Sequence, residues 1–318
     1  MLLSPAAITK LSESIGEEVT VPEIWAGVSQ KDLSRRTDVH QLQKLKETFT
    51  NSDSVRDLAR LAVLGQKKAL EYLSCVPCKR SGQYLRPDQW VVVTRYILGE
   101  PIFDSDRTCP ACNRPSDKWG HHALTSCGQH GGEIVTRHNV LRNFFFDLSR
   151  DAGLNPVKEA RFLLPGGRKP ADVLLPWAGG LVGGDPSSDL CADLTITGLR
   201  DCYLTRTVED GSYPANQAHS RKQNLVGEAC RNFGLTFVPV AMCALGSMTE
   251  TTYNLISRIS KDKAIRTGAD ISKTINNSFK KMNILLMKCN ANLLLNRCPV
   301  IRDIGAEIEQ GDYNEFSN

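Results

Sequence analysis

The chain has 318 residues, 41% apolar and 23% charged, with a formal net charge of +4. It is long enough to bury a sizeable core, and its composition argues against disorder without by itself pointing to a polyanion partner. No apolar run is long enough to span a bilayer, and the opening MLLSPAAITKLSES lacks the basic and apolar regions of a secretory leader, so an intracellular protein without membrane contact is expected. Eleven cysteines in a chain of this size fit reduced thiols and a metal site better than a disulfide framework.

Residues 1–108 read as a helical N-terminal region without evident chemistry. Val55, Leu58, Leu61, Ala62, Leu70 and Leu73 recur at helical spacing and predict one amphipathic helix over 53–73. Cys75 and Cys78 form a Cys-x-x-Cys with no second pair close by, which favours structural thiols. A short helix or strand follows over 89–98 and closes at Gly99.

Residues 109–130 carry a far more specific pattern. Cys109 and Cys112 are separated by two residues, nine more lead to His122, and a further four to Cys127. Two thiolates from a tight turn, an imidazole and a third thiolate complete a tetrahedral Zn²⁺ shell, the spacing of a zinc knuckle. His121 is equally reachable and His130 could replace or assist, so the choice of histidine stays open. Four protein ligands leave no open position, so such a zinc is structural and activates no water.

Residues 131–248 are expected to form the main α/β core. A helix from about Glu133 to Ala152 stops at Gly153, with Ile134, Leu141, Phe145 and Leu148 on one stripe and His138 among them. Val157 to Leu164 reads as extended and carries Glu159. Two strands follow, Ala171 to Trp177 and Cys191 to Thr197, joined by a Gly-rich, non-helical loop. Each bears one acid where an apolar residue is expected, Asp172 and Asp193. A carboxylate inside a sheet must be protonated, paired or bound to a cation. With Glu159 as a third, these acids suit Mg²⁺ or Mn²⁺, whose shell takes one or two carboxylates and leaves the rest to water and phosphate oxygens. A polar interval over 198–219, a helix over 220–233 with Arg221 and Lys222, and an apolar strand over 235–242, read as central in the sheet, complete the core.

Residues 249–318 read as a C-terminal helical segment with an acidic tail. From Arg258 to Lys288 there are eight Lys/Arg, Lys280 and Lys281 among them, against Asp262 and Asp270. Such a helix is first read as a solvated face.

The runs CPACNRPSDKWGHHALTSCGQHGGEIVTRHNVLRN, RKPADVLLPW and ADLTIT, with Glu159 between, resemble the C-terminal region of non-LTR retrotransposon reverse transcriptases, a zinc knuckle followed by a restriction-like PD-(D/E)xK endonuclease. The resemblance is strongest from Cys109 to Thr197. It implies a restriction-endonuclease-like core, a mixed sheet flanked by helices, and makes residues 1–108 a polymerase tail without polymerase motifs. It also implies that Asp172 and Asp193 hold the metal, with Glu159, Arg137, His138 and Asn139 near the scissile phosphate. Arg168, Lys280 and Lys281 become contacts to DNA, or to RNA or an RNA–DNA hybrid, and the expected location becomes the nucleus. The chain departs from the pattern at Thr195, where the superfamily has lysine, and at Cys243, where an acid is expected. The lysine's role then passes to Lys222, or second to Lys169. The implied activity is Mg²⁺-dependent DNA cleavage. A catalytically degenerate nucleic-acid-binding module and a plain zinc-stabilised scaffold are the alternatives.

Overall fold

The computed structural model describes residues 5–20, 22–23, 27–80, 82–125, 127, 132–161, 163–167 and 169–297. His130, Arg168 and the acidic tail lie outside them. The chain divides into two compact units, Met1–Leu58 and Ala59–Asn318.

In the first unit α1 (Pro5–Ile15) packs against α2 (Gln30–Asn51). Ser29 caps α2 by accepting the Asp32 N–H, and Arg36 reaches Glu17 at 2.5 Å and Glu23 at 2.6 Å. No described residue of α2 is buried.

The second unit begins on α3 (Val55–Leu64), which starts at the end of the first unit. The single helix expected over 53–73 stops at Leu64. Gly65 weakens it, Lys68 takes φ 67°, and a 3₁₀ turn at Glu71–Ser74 follows. The change of direction carries Ala69 and Tyr72 into the core. The 89–98 segment is helical: Pro87 opens α4 (Pro87–Leu98) and Gly99 closes it at φ 77°. A small antiparallel ribbon, β1 (Arg107–Thr108) and β2 (Pro115–Ser116), and α5 (His121–Thr125) precede the long α6 (Glu133–Asp151).

The main sheet is mixed, in the order β3 (Val157–Lys158), β4 (Val173–Leu175), β5 (Leu190–Thr197), β6 (Thr236–Cys243). β3, β4 and β5 pair antiparallel in turn, and β6 runs parallel to β5. Between β5 and β6 come α7 (Leu204–Glu209), α8 (Tyr213–Lys222), a π-helical turn at Gln223–Gly227 and α9 (Glu228–Asn232). The helix expected over 220–233 therefore starts earlier, at Tyr213. The extended run expected over 157–164 is cut short at Glu159, which takes φ 49°. The Gly-rich connection holds one 3₁₀ turn, Gly179–Val182, pinned by the Arg258 guanidinium on the carbonyls of Gly180 and Leu181.

Two expectations about packing are corrected. The strand β6 lies at the sheet edge, where Pro239, lacking an N–H, costs no ladder bond, and the Pro239 carbonyl accepts from His219 Nδ1 at 3.2 Å. Helices cover it, so it is buried and apolar from Phe237 to Cys243 all the same. The C-terminal helices α10 (Glu250–Thr267) and α11 (Ile271–Leu295) are not a solvated appendage. Phe279, Met282, Leu286, Met287 and Leu293 to Leu295 bury α11 against α4, α6 and α10. The first turns, including Ile271, Lys273 and Asn276, are exposed, and beyond Phe279 only Lys281 and Asn292 are. No helix of the described residues is long and apolar enough to cross a membrane.

Candidate active site and candidate metal centre

Local backbone geometry builds the metal centre. The ribbon turn closes through the Cys109 N–H on the Arg114 carbonyl at 2.8 Å, with Asn113 at φ 55°, and this folds Cys112 back toward Cys109. Asp117 then caps α5, its carboxylate accepting N–H groups of Trp119 at 3.1 Å, His121 at 3.0 Å and His122 at 2.8 Å. The Cys127 N–H bonds the His122 carbonyl at 2.9 Å.

The result brings one ligand atom each from Cys109, Cys112, His122 and Cys127 within 4.8 Å of one another. Cys112 Sγ lies 3.1 Å from His122 Nε2 and Cys109 Sγ 3.9 Å from Cys127 Sγ. Tetrahedral Zn–S and Zn–N bonds would set such pairs about 3.3–3.8 Å apart. Burial pushes the Cys109 thiol up, but the N–H groups of Ala111 and Cys112 and the side chains of Cys112 and His122 outweigh it, holding the thiol down at about 6. A ready thiolate suits a metal ligand. The cluster is positioned to hold a metal ion such as zinc. His121 has a different place: its ring stacks on Trp119 and meets Tyr96 edge-on.

Asp117 was not singled out from the sequence, although a carboxylate four residues ahead of His121 is a capping signal. Asp117→Ala should cost about 0.5–2 kcal/mol of cap energy. A lowered thermal midpoint of the zinc-loaded protein, with the thiolate spectrum of a cobalt-substituted sample retained, is the expected result.

The second site lies where β4 and β5 meet. Their register pairs Val173 with Ala192, so one step further Asp172 faces Asp193 across the ladder, on the same side of the sheet. The Asp172 N–H bonds the Ala192 carbonyl at 3.1 Å, and Asp172 Oδ2 accepts the Leu194 N–H at 2.8 Å. Both acids are buried, at 6% and 9% exposure.

A basic side chain faces each acid. His138 Nε2 on α6 lies 2.9 Å from Asp172 Oδ2. Lys222 Nζ, at the end of α8, lies 2.7 Å from Asp193 Oδ2, which is buried and lacks an aligned hydrogen bond, so this contact is one of charge. Burial is the largest single influence on Asp172 and pushes it up, but His138, the Leu194 N–H and the Lys169 charge outweigh it and hold the carboxyl below its ordinary range. Burial holds Asp193 above its ordinary range against the pull of Lys222, and the charge of Asp172 adds to the effect. The hydrogen bond to Asp172 raises His138 in turn. Two acids pushed in opposite directions by their surroundings mark a candidate chemical site.

The other expected residues are spread around this centre. The Glu159 N–H bonds the Asp172 carbonyl at 2.8 Å, while its carboxylate is paired with Arg142 and with Lys169 at 3.4 Å. Arg142 was missed, although it stands four residues after His138 on the same helix face. Asn139 is half-buried beside His138, its Oδ1 3.4 Å from His138 Nδ1. Arg137, expected beside the phosphate, is instead buried at 2% exposure and donates to Asn290 Oδ1 at 2.8 Å. Burial lowers its guanidinium to about 10. Helical geometry turns residues 137 and 138 about 100° apart, so the two cannot share one role. Lys281 is exposed on α11, and Lys280 is half-buried, with its carbonyl close to the Cys75 thiol. Thr195 is buried, and Cys243 is fully enclosed, pushed up by burial to about 11.

No family model and no curated protein matches the chain. The geometry of the two sites therefore carries the functional argument.

Proposed function

We propose that this protein is a divalent-metal-dependent nuclease with a restriction-endonuclease-like core, cleaving phosphodiester bonds of DNA at Asp172 and Asp193. The observation that carries the reading is the Asp172–Asp193 pair, opposed across neighbouring strands and each faced by a basic side chain. The order helix, three antiparallel strands, helix and parallel strand, as in α6 to β6, is the order expected of that core. Lys222 supports it too. The cation missing at Thr195 arrives from the crossover helix, 2.7 Å from the second acid.

The donor set fits Mg²⁺ or Mn²⁺ and no softer ion: two carboxylates, no thiolate, and a shell left to water and phosphate oxygens. Asp172 and Asp193 would hold the ion, with Glu159 joining only on release from Arg142 and Lys169. When bound, such an ion supplies an acidified water and a counter-charge for the leaving oxygen. His138, expected at the phosphate, acts first on the protein side by fixing the orientation of the Asp172 carboxylate. Lys222 would exchange its contact with Asp193 for the developing charge on the phosphoryl oxygens. Lys273 and Lys281, the exposed lysines of α11, would supply backbone contacts that hold a duplex without reading sequence.

The test is nicking of supercoiled plasmid by the zinc-loaded protein with Mg²⁺ or Mn²⁺. Lys222→Met should slow nicking about 10²–10³-fold, the effect of losing one preorganised donor, with DNA retardation on a gel unchanged. Equal rates would remove Lys222 from the mechanism. A second reading, a degenerate nuclease retained for binding, is favoured by Thr195 and by the enclosed Cys243. It predicts salt-dependent DNA binding with no turnover in either metal.

A further inference from the structure

Arg297, two residues beyond the end of α11, is an arginine with only 3% exposure. Its Nη2 donates toward Cys127 Sγ at 3.7 Å, and its Nη1 donates to Glu133 Oε2 at 2.8 Å and to the Leu293 carbonyl at 2.6 Å. Glu133 is the first residue of α6, and its other oxygen receives the Asn296 side-chain amide. One guanidinium fork thus joins a thiol of the metal centre to the head of the helix that carries His138.

Charge explains why an arginine is buried there. Three thiolates and a neutral imidazole around a divalent ion leave one net negative charge, and Cys109 and Cys127 are fully enclosed. A buried net charge is costly unless an opposite charge or hydrogen-bond donors answer it. Arginine answers with a planar fork that bonds two acceptors at once. A donor on a ligating sulfur also fixes the orientation of that ligand and spreads its charge.

We infer that Arg297 is an outer-sphere anchor of the Cys109–Cys112–His122–Cys127 centre, setting its metal affinity and tying it to α6. The sequence gives no hint of it, because the two partners lie 170 residues apart. The inference concerns the metal centre alone and stands or falls independently of nuclease activity.

The experiment measures zinc affinity of the full chain by competition with a chromophoric chelator, with the cobalt-substituted protein as a spectroscopic reporter of the thiolates. Arg297→Met should weaken zinc binding by about 10–100-fold, the usual cost of losing an outer-shell partner. It should also shift the thiolate-to-cobalt absorption and destabilise the metal-loaded protein more than the chelator-treated one. Unchanged affinity, or an equal loss of stability with and without metal, would reduce Arg297 to packing at a helix end and overturn the inference. If Arg297→Met does not fold, Arg297→Lys decides, since it keeps the charge and loses the fork. Weakened zinc binding by the lysine variant supports the anchor, and an unaltered affinity and cobalt spectrum overturn it.

Discussion

Asp172→Ala should abolish Mg²⁺-dependent nicking of supercoiled plasmid while leaving retardation of the same DNA intact. The expected loss is at least about 10³-fold, because the variant removes an acid that no neighbour can replace and with it one anchor of the ion that activates water. Asp193 is held above its ordinary range by burial and is occupied by Lys222, so it cannot compensate. Folding should survive. Asp172 lies one step outside β4, and what the alanine removes inside the protein is one acceptor of the Leu194 N–H and the partner of a half-buried imidazole. Those losses come to about 1–3 kcal/mol, within the stability of a domain this size. Asp172→Asn is the sharper control. It keeps the shape and an acceptor oxygen and loses only the charge, so it should be as inactive as alanine and fold better. Nicking by both variants at the parent rate would sink the assignment of the acid pair.

Removing the metal from the knuckle should have the other large effect. Structural zinc in small peptide sites is held by about 10–16 kcal/mol at neutral pH, and that free energy is folding free energy. Here the centre is part of the core and not an appendage. Ala123 and Leu124 are buried, and Gly120, at φ 80°, sits so close to α11 that a Cβ there would meet Leu294 Cδ2 at 2.6 Å. Chelation should therefore lower the thermal midpoint of the second unit by about 10 °C or more, given the few degrees per kcal/mol of a domain of this size. Cys112→Ser should do the same without chelator. Cys78→Ser, at an exposed thiol of the other Cys-x-x-Cys, should change nothing, and together the two variants distinguish a metal pair from an incidental one. A midpoint indifferent to both chelation and Cys112→Ser would show that the cluster contributes no stability.

The features legible in the sequence were those encoded over short distances. The spacing of Cys109, Cys112, His122 and Cys127 survives folding because one turn and one capped helix connect them, and an acid inside an apolar run marked Asp193 on β5 and Asp172 beside β4, although the strand expected over 171–177 shortens to Val173–Leu175. Lys222 was singled out only through the resemblance, as the cation to replace the lysine missing at Thr195, and it lies 2.7 Å from Asp193. Features that depend on distant partners were not legible. Arg137 and His138 are adjacent and equally polar, and only Asn290, 153 residues on, decides that the first is interior. The lysines of α11 suggested a solvated helix, yet they occupy one narrow stripe while the rest of its circumference finds neighbours that the local pattern does not name. An apolar strand reads the same at the edge as at the centre when helices cover both faces, so the position of β6 could not be read either.

The place of α11 has a consequence for how the protein is made. This helix is among the last described elements to be synthesised, yet it packs on α4 and on the 3₁₀ turn at Glu71–Ser74, which emerge long before it. A nascent chain that has released Asp172 and Asp193 still lacks the helix against which α4 and α6 pack. Contacts this far apart in sequence close slowly and late. The second unit therefore completes its core only once α11 has been made. It waits for Ile271 to Leu295, and until then its apolar surface is exposed to aggregation or to chaperones.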